Sequence, residues 1–561
     1  MADMVEKVTG YWTSYRDNVL EKYRPKWLEF YQKYSSFIND NGEHENNTFI
    51  PRCYDSVETA VPRISLAYFS VKPPVQAAPR SANDIQQAET ITDVLAFINE
   101  KLNYFDFVNR LVKMAAIYGI SIAKSGWNNK TNMPIRYVVN PQDFFIDPTA
   151  SCIEEAEYCG DRKVRTLSYL RKMEEAGIYK NINDVELKKM YYSPGTELLT
   201  DQKAVNDMQN PYQFGVDKDN PQFEVIECYI KATNKIVTIA GGVEIRNEDN
   251  PFPSKEFPYA PVILTPGIVE FYGMGLIEPI RYLQDDLNDL HRSQSDYIAR
   301  SVNGIIMSGI SEWEQSKTWQ WKQGANWKVN NLDQVKQFDM KPLAPESWQM
   351  GARLDSVIDR TNALSDYVRG TAGGNESATG ASLLAQAADT RLKLQLYNVQ
   401  NCLNRLMSFD IKNIQAFMPA EFIIRITQKP YFKPVKLEEI QGEFDIFAAG
   451  ISDLTTKEMK RSQLMNLVTI TMSSGIPQLL LTEGKKVNMT EIYRQILETF
   501  EFKNMDSIIT DIPMGGGLPQ GGVAPQGNAT GMLPEMGAMS DLLKPVAEST
   551  SPLQTASQGG L

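Results

Sequence analysis

The chain has 561 residues, 42% of them hydrophobic and 22% charged, which is the balance of a packed globular protein and excludes a wholly disordered one. Lys and Arg total 57 against 69 Asp and Glu, a formal charge of -12, so broad electrostatic capture of a polyanion is not expected. Five scattered cysteines without a CxxC pair argue for a reducing compartment, and two histidines leave little from which to build a zinc site or a catalytic triad. No secretory signal opens the sequence, and the most apolar stretch, Met114 to Ala123, is too short to span a bilayer. Neither a membrane segment nor a cofactor is expected.

In chain order, aromatic residues at helical spacing (Trp12, Tyr15, Trp27, Phe30, Tyr34) predict two helices divided by Pro25. One long amphipathic helix is expected from Asn83 to about Tyr118, with Ile91, Val94, Leu95, Ile98, Leu102 and Phe105 on its apolar face. ISIAKSGW reads as a strand, IRYVVNPQDFFID as a strand and turn, Leu167 to Ala176 as a helix, and residues 224–246 as a small meander. Leu276, Ile280, Leu283, Leu287 and Leu290 then mark one stripe of a helix running to about Ser301. Short strands are expected at Gly304–Ile310, Asn326–Val329 and Val335–Phe338. A second amphipathic helix runs from Pro345 to Arg369. The glycine-rich GTAGGNESATGAS (370–382) cannot stay helical, and a long helix follows from Leu383 to Phe417. EFIIRIT and EFDIFAA read as strands, Thr455 and Glu458 as a capping box opening a helix, and about Thr490 to Phe502 as a last helix. From Met514 the composition is that of a disordered tail.

Chemistry-bearing motifs are few. The glycine-rich segment has Ala381 where a Walker A loop needs its Lys, and it follows a helix instead of a strand. Asp143 and Asp147 flank Phe144-Phe145 in a turn and read as turn residues before they read as a metal pair. Asp285, Asp286 and Asp289 cluster on one helix face, which by itself describes a solvated face. No catalytic or metal-binding set emerges.

The order helix, mixed segment, helix, glycine-rich loop, long helix resembles the portal proteins of tailed bacteriophages. So does the wording of VVNPQDFFIDPTA, FYGMGLIEPIRYLQDDLNDLHRSQSDYI and DYVRGTAGGNESATGASLLAQAADTR, over roughly residues 80–505. The resemblance implies a mixed α+β, helix-rich fold with wing, stem, clip and crown, closed into a ring, usually of twelve copies, at one capsid vertex. Mapped here, residues 1–273 form the wing, 274–303 the first stem helix, 304–343 the clip and 344–369 the second stem helix. Residues 370–381 form a tunnel loop, 382–418 the long helix, 419–512 the C-terminal wing and crown, and 513–561 a tail.

The implied function is a non-enzymatic conduit for double-stranded DNA that docks the terminase motor, then the tail adaptor, within a shell of major capsid and scaffold protein. Its place is the virion, and the host cytoplasm during assembly. Tunnel-loop residues toward DNA would be Arg369, Gly373, Gly374, Asn375, Glu376, Ser377 and Thr379. Channel-lining candidates are Asp285, Asp286, Asp289, Arg292 and Asp296, and clip candidates for partner contact are Trp313, Lys317, Trp321, Lys322 and Lys328. Residues 274–301 carry five acids and three arginines, a mixed wall that lets DNA slide because it adds few phosphate contacts. The apolar stripes of the two stem helices are expected to be buried between neighbouring copies in a ring-closing interface. A tail or adaptor protein, or less readily a packaging NTPase or nuclease, is the alternative.

Overall fold

The computed structural model describes residues 2–37, 46–69, 73–80, 85–189, 221–268, 270–303, 305–308, 335–338, 343–362, 378–419, 421–425, 432–448 and 467–468. The chain divides into two units, Met1–Lys460 and Arg461–Leu561, and every named element belongs to the first.

The N-terminal helices α1 (Ala2–Tyr15) and α2 (Glu21–Tyr34) are joined by a π-helical turn, Arg16–Leu20, so the run does not divide at Pro25. Pro25 lies inside α2, where it lacks an N–H and presses on the preceding turn. The irregularity is taken up one turn earlier, by the wider π geometry. Helix α3 (Arg52–Tyr68) follows, then strand β1 (Val75–Pro79). The single helix expected over 83–118 is two, α4 (Ile85–Lys101) and α5 (Tyr104–Tyr118), broken where Asn103 adopts a left-handed φ of 49°. Asn tolerates that conformation better than most residues. The break re-aims the second half, burying Tyr104, Val108, Leu111 and Val112 and leaving Phe105 exposed.

Two antiparallel sheets carry the middle of the body. The first has the order β3-β2-β9, from β2 (Ile120–Asn128), β3 (Met133–Val139) and β9 (Tyr259–Ile263). The second runs β4-β5-β6-β7-β8: β4 (Phe144–Ile146), β5 (Tyr158–Thr166), β6 (Gln222–Ile230), β7 (Lys235–Ala240) and β8 (Val243–Asp249). The expected meander is therefore the outer three strands of a five-stranded sheet. Its join to β5 pairs Cys159 with Tyr229 and Gly160 with Cys228. Those pairs lie some seventy residues apart, and local alternation could not announce them. Helices α6 (Leu167–Glu175) and α7 (Ile182–Lys189) cover one side through Leu170, Ile182 and Val185. Asp143 and Asp147 are turn residues: Asp143 accepts from Arg162 at 3.0 Å, and Asp147 accepts from the Thr149 amide at 3.0 Å.

Two ionic clusters are sealed into this body. Lys124 donates to Asp161 and, at 2.6 Å, to Glu227, while its ammonium lies over the rings of Tyr229 and Tyr259. Burial acts to raise the Asp161 carboxyl, but the Lys124 and Lys163 ammoniums outweigh it and hold it well below the usual carboxylate range. Arg136 pairs with Asp410 at 2.7 Å with side chains 2% and 0% exposed, and its guanidinium also donates to Asn99 at 2.7 Å. Ser125 donates to the other Asp410 oxygen. This second cluster fastens strands β2 and β3 and helix α4 to the long helix that crosses the body later in the chain. All five cysteines are free thiols, and four are buried.

Candidate functional site

The stem-like hairpin begins at a glycine-bound junction. Gly119, which ends α5 at φ 86°, and Gly273 and Gly275 interlock so closely that a Cβ on Gly119 would lie 2.4 Å from the Gly273 carbonyl oxygen. A Cβ on Gly275 would lie 2.7 Å from the Ala116 oxygen. Only glycine permits this approach. The backbone seals it: Met274 N–H bonds Thr265 O at 2.9 Å, and Leu276 N–H bonds Ala116 O at 2.8 Å. The FYGMG of the sequence is thus the weld between body and hairpin.

After a 3₁₀ turn, Glu278–Ile280, helix α8 (Arg281–Asn303) leads to strand β10 (Ile305–Ser308). Strand β11 (Val335–Phe338) pairs antiparallel with β10, Ile305 opposite Phe338, and leads back toward helix α9 (Pro345–Thr361). The residues between the two strands, with Trp313, Lys317, Trp321, Lys322, Lys328 and the expected strand Asn326–Val329, lie outside the described residues. Pro345 sits in the first turn of α9, where its missing N–H costs nothing.

Helices α8 and α9 pack against each other within one chain. Gln294 donates to Ser347 O at 3.0 Å, and Gly351 faces Leu290, so the two run antiparallel. Leu276, Ile280 and Leu287 are buried in one cluster with Leu354 and Ile358. The apolar stripe of α8 and part of that of α9 are therefore used inside the hairpin, while Met350 and Val357 stay exposed. Two amphipathic helices joined through a β pair meet each other first, because that contact is intramolecular.

A second face of α8 is polar and also buried. Gln284, Asn288, Arg292 and Asp296 recur every four residues and clasp the segment 46–53. Gln284 accepts from Cys53 N–H at 3.0 Å and donates to Ile50 O at 2.7 Å. Asn288 accepts from Ile50 N–H at 3.0 Å, Arg292 donates to Thr48 O at 3.1 Å, and Asp296 accepts from Asn46 N–H at 3.0 Å. All these bonds go to main-chain atoms, so one helix satisfies much of the backbone polarity of that segment. Arg292 and Asp296, assigned by the sequence to a channel wall, are turned into the protein by this ladder. Its signal in the sequence was the four-residue spacing; its partners lie some 230–250 residues away and gave none.

The remaining acids stay outside. Asp285, Asp286 and Asp289 are exposed. Asp285 accepts from Lys33, and Asp289 lies 3.7 Å from Arg292. Asp286 has no ion-pair partner among the described residues. His291 is half-buried on the same helix, and His44 lies outside the described residues.

Helix α10 (Ala378–Phe417) crosses the body, burying Leu396, Val399, Leu403, Leu406 and Ile414 and carrying Asp410 to Arg136. It begins at Ala378, ahead of the expected Leu383, so Thr379, Gly380 and Ala381 are helical backbone instead of loop. Small residues in one turn do not stop a helix whose following turns are well packed. Arg391 donates to Thr361 O at 3.1 Å, tying α10 to the end of α9. Residues 363–377, with Arg369, Gly373, Gly374, Asn375, Glu376 and Ser377, lie outside the described residues. Strands β12 (Glu421–Arg425), β13 (Phe432–Lys436) and β14 (Phe444–Ala448) follow; β12 pairs with β13, and β14 with β1. The helix expected to open at Thr455 (but for 467–468), the one at Thr490–Phe502 and the tail from Met514 lie outside the described residues. No described helix is long and apolar enough to cross a membrane.

The body, the glycine weld, the helix–strand–strand–helix hairpin and the long return helix stand in the order that the sequence led one to expect of a portal. A family model described as phage SU10 portal protein matches residues 130–535, well over half of the 561. The match takes in the five-stranded sheet, strands β3 and β9 of the other, the hairpin and α10. The chain belongs to the phage SU10 portal protein family.

Proposed function

We propose that copies of this chain close into a ring, of twelve subunits, at one vertex of the capsid, and that the ring is a non-enzymatic conduit for double-stranded DNA. The hairpin α8–β10–β11–α9 is its stem with the base of its clip. The body through residue 273 and the region after 419 are wing and crown, and the residues between Thr361 and Ala378 include the tunnel loop that meets DNA. The clip docks the terminase motor and later the tail adaptor, capsid and scaffold protein surround the wing, and assembly takes place in the host cytoplasm. The observation that carries this reading is the family match over residues 130–535, which takes in the five-stranded sheet, the hairpin and the long helix.

The test is a packaging reaction with particles assembled with and without the chain. DNA protected from nuclease is expected only with it. Deleting Gly373–Ser377 should leave the ring intact and remove most protected DNA. Equal packaging without the chain would overturn the conduit, and ATP hydrolysis by the purified chain would overturn the non-enzymatic role.

A further inference from the structure

A cleft opens between the two sheets of the body. Its volume is about 530 Å³, within the range of small-molecule pockets. Strands β2 and β3 form one wall, β5, β6 and β8 the other, and the turn Gly177–Tyr179 after α6 makes a lip. Register explains the floor. Asp161, Glu227, Thr238 and Arg246 stand directly opposite one another on four adjacent strands, so their side chains share one face. Two carboxylates opposed in a sheet repel, and Lys124 from the other sheet offsets this by donating to both. Lys163 lies 2.8 Å from the other Asp161 oxygen, and Arg246 donates to Glu248 at 2.6 Å. The floor is closed on itself.

Two residues further along β5 the balance changes. Arg165 lays its guanidinium on the Tyr169 ring, 4.8 Å from the centroid, and has no ion-pair partner among the described residues. The cleft is lined by four cations and three carboxylates, and Arg165 is the cation whose charge no described carboxylate meets. Tyr137, Tyr169 and Tyr179 line the same space, and none of their hydroxyls has a hydrogen-bond partner among the described residues. Burial raises the Tyr137 phenol, with Tyr169 adding to it; burial also raises the Tyr179 phenol, with Glu227 and then Tyr169 adding to it. Both hydroxyls thus stay neutral donors, within electrostatic reach of Tyr169. Trp127, Ile135, Phe252 and Ile178 supply apolar wall, with Ile178 43% exposed at the lip.

One surplus positive charge, neutral hydroxyl donors and an apolar wall are the complement of a small organic monoanion. A phosphate ester carries closer to two negative charges near neutral pH, more than this lining offsets. A carboxylate carries one, and its two oxygens match the planar guanidinium. We infer that the inter-sheet cleft binds a small organic carboxylate, its head on Arg165 and the tyrosine hydroxyls and its apolar body against Trp127 and Ile178. The site lies within one subunit and stands or falls independently of the ring.

The test is calorimetric titration of the full-length chain with phenylacetate, phenylacetamide, phenyl phosphate and acetate, with circular dichroism and urea unfolding to check each variant's fold. Phenylacetate should bind at least about tenfold more tightly than each of the other three. Arg165→Gln should lower phenylacetate affinity by about tenfold and leave phenylacetamide within about twofold, because only the acid loses a charge partner. Tyr169→Phe should cost the acid about threefold. If Arg165→Gln weakens acid and amide alike, Arg165→Lys decides: a kept preference for the acid supports the charge contact, and a lost one overturns it. Equal affinity for acid and amide in the wild type, acid binding unchanged by Arg165→Gln, or no binding of phenylacetate at about 20 mM would each overturn the site.

Discussion

The body and the hairpin treat charge in opposite ways. In the body, Arg136 with Asp410 and Lys124 with Asp161 and Glu227 are withdrawn from water and paired within the chain. In the hairpin, Asp286, Arg353 and Arg360 stand on exposed faces with no ion-pair partner among the described residues. A buried charge must be paired before the chain can fold, whereas an exposed one is free to wait for a neighbour. The buried pairs of the body therefore hold one subunit together, as do Asp285 with Lys33 and Asp355 with Arg52 in the hairpin, while Asp286, Arg353 and Arg360 add no ion pair to it. Substitutions should separate the two: loss of fold at the buried pairs, and little loss of fold at the exposed charges.

The largest effect is expected at Asp410. Asp410→Ala leaves the Arg136 guanidinium buried without its carboxylate, and urea unfolding of the monomer should show a loss of about 3–5 kcal/mol. Adding Arg136→Met should recover most of it, because an apolar pair removes the stranded charge. Asp161→Asn comes next, at about 2–3 kcal/mol near neutral pH. Its carboxyl titrates below the ordinary value of about 3.9 in the folded chain. Its share of stability is thus full above that pH and is lost as pH falls below it, through the lower value of the folded chain. The wild type should lose stability more steeply with acid than Asp161→Asn does. Similar slopes would place the acid sensitivity elsewhere.

Gln284→Ala should cost about 1–3 kcal/mol by orphaning the Cys53 amide and removing one of two donors to the Ile50 carbonyl, and limited proteolysis should then cut near residues 46–53. The smallest effect on fold is expected for Asp286→Asn and Arg353→Gln, within about 0.5 kcal/mol in the monomer. If either costs as much stability as Gln284→Ala, the division between body and hairpin fails.

Much of this was legible in the sequence. The period of Leu276, Ile280, Leu283, Leu287 and Leu290 announced α8, and Pro345 marked the start of α9. The glycine-rich passage marked the approach to α10, and FYGMG carried the weld whose reason the backbone contacts supply. What periodicity could not say was which partner each face would meet. The apolar stripe predicted a neighbour and found α9 of its own chain. Asp296 read as a channel-lining candidate, yet it holds the Asn46 amide. Asn103 inside a strongly helical stretch gave the only local hint of the break between α4 and α5, and a single Asn is weak against twenty helix-forming neighbours. Long-range pairing, of β5 with β6 or of Arg136 with Asp410, leaves no local pattern at all.

As a portal protein the chain is a component of the phage virion, and its central claim is a closed ring with a passage through it. Cryo-electron microscopy of the purified full-length chain tests that most directly. A closed ring with a central opening wide enough for a DNA duplex is the expected result. A persistent monomer, or an open helical filament without a through passage, would contradict it.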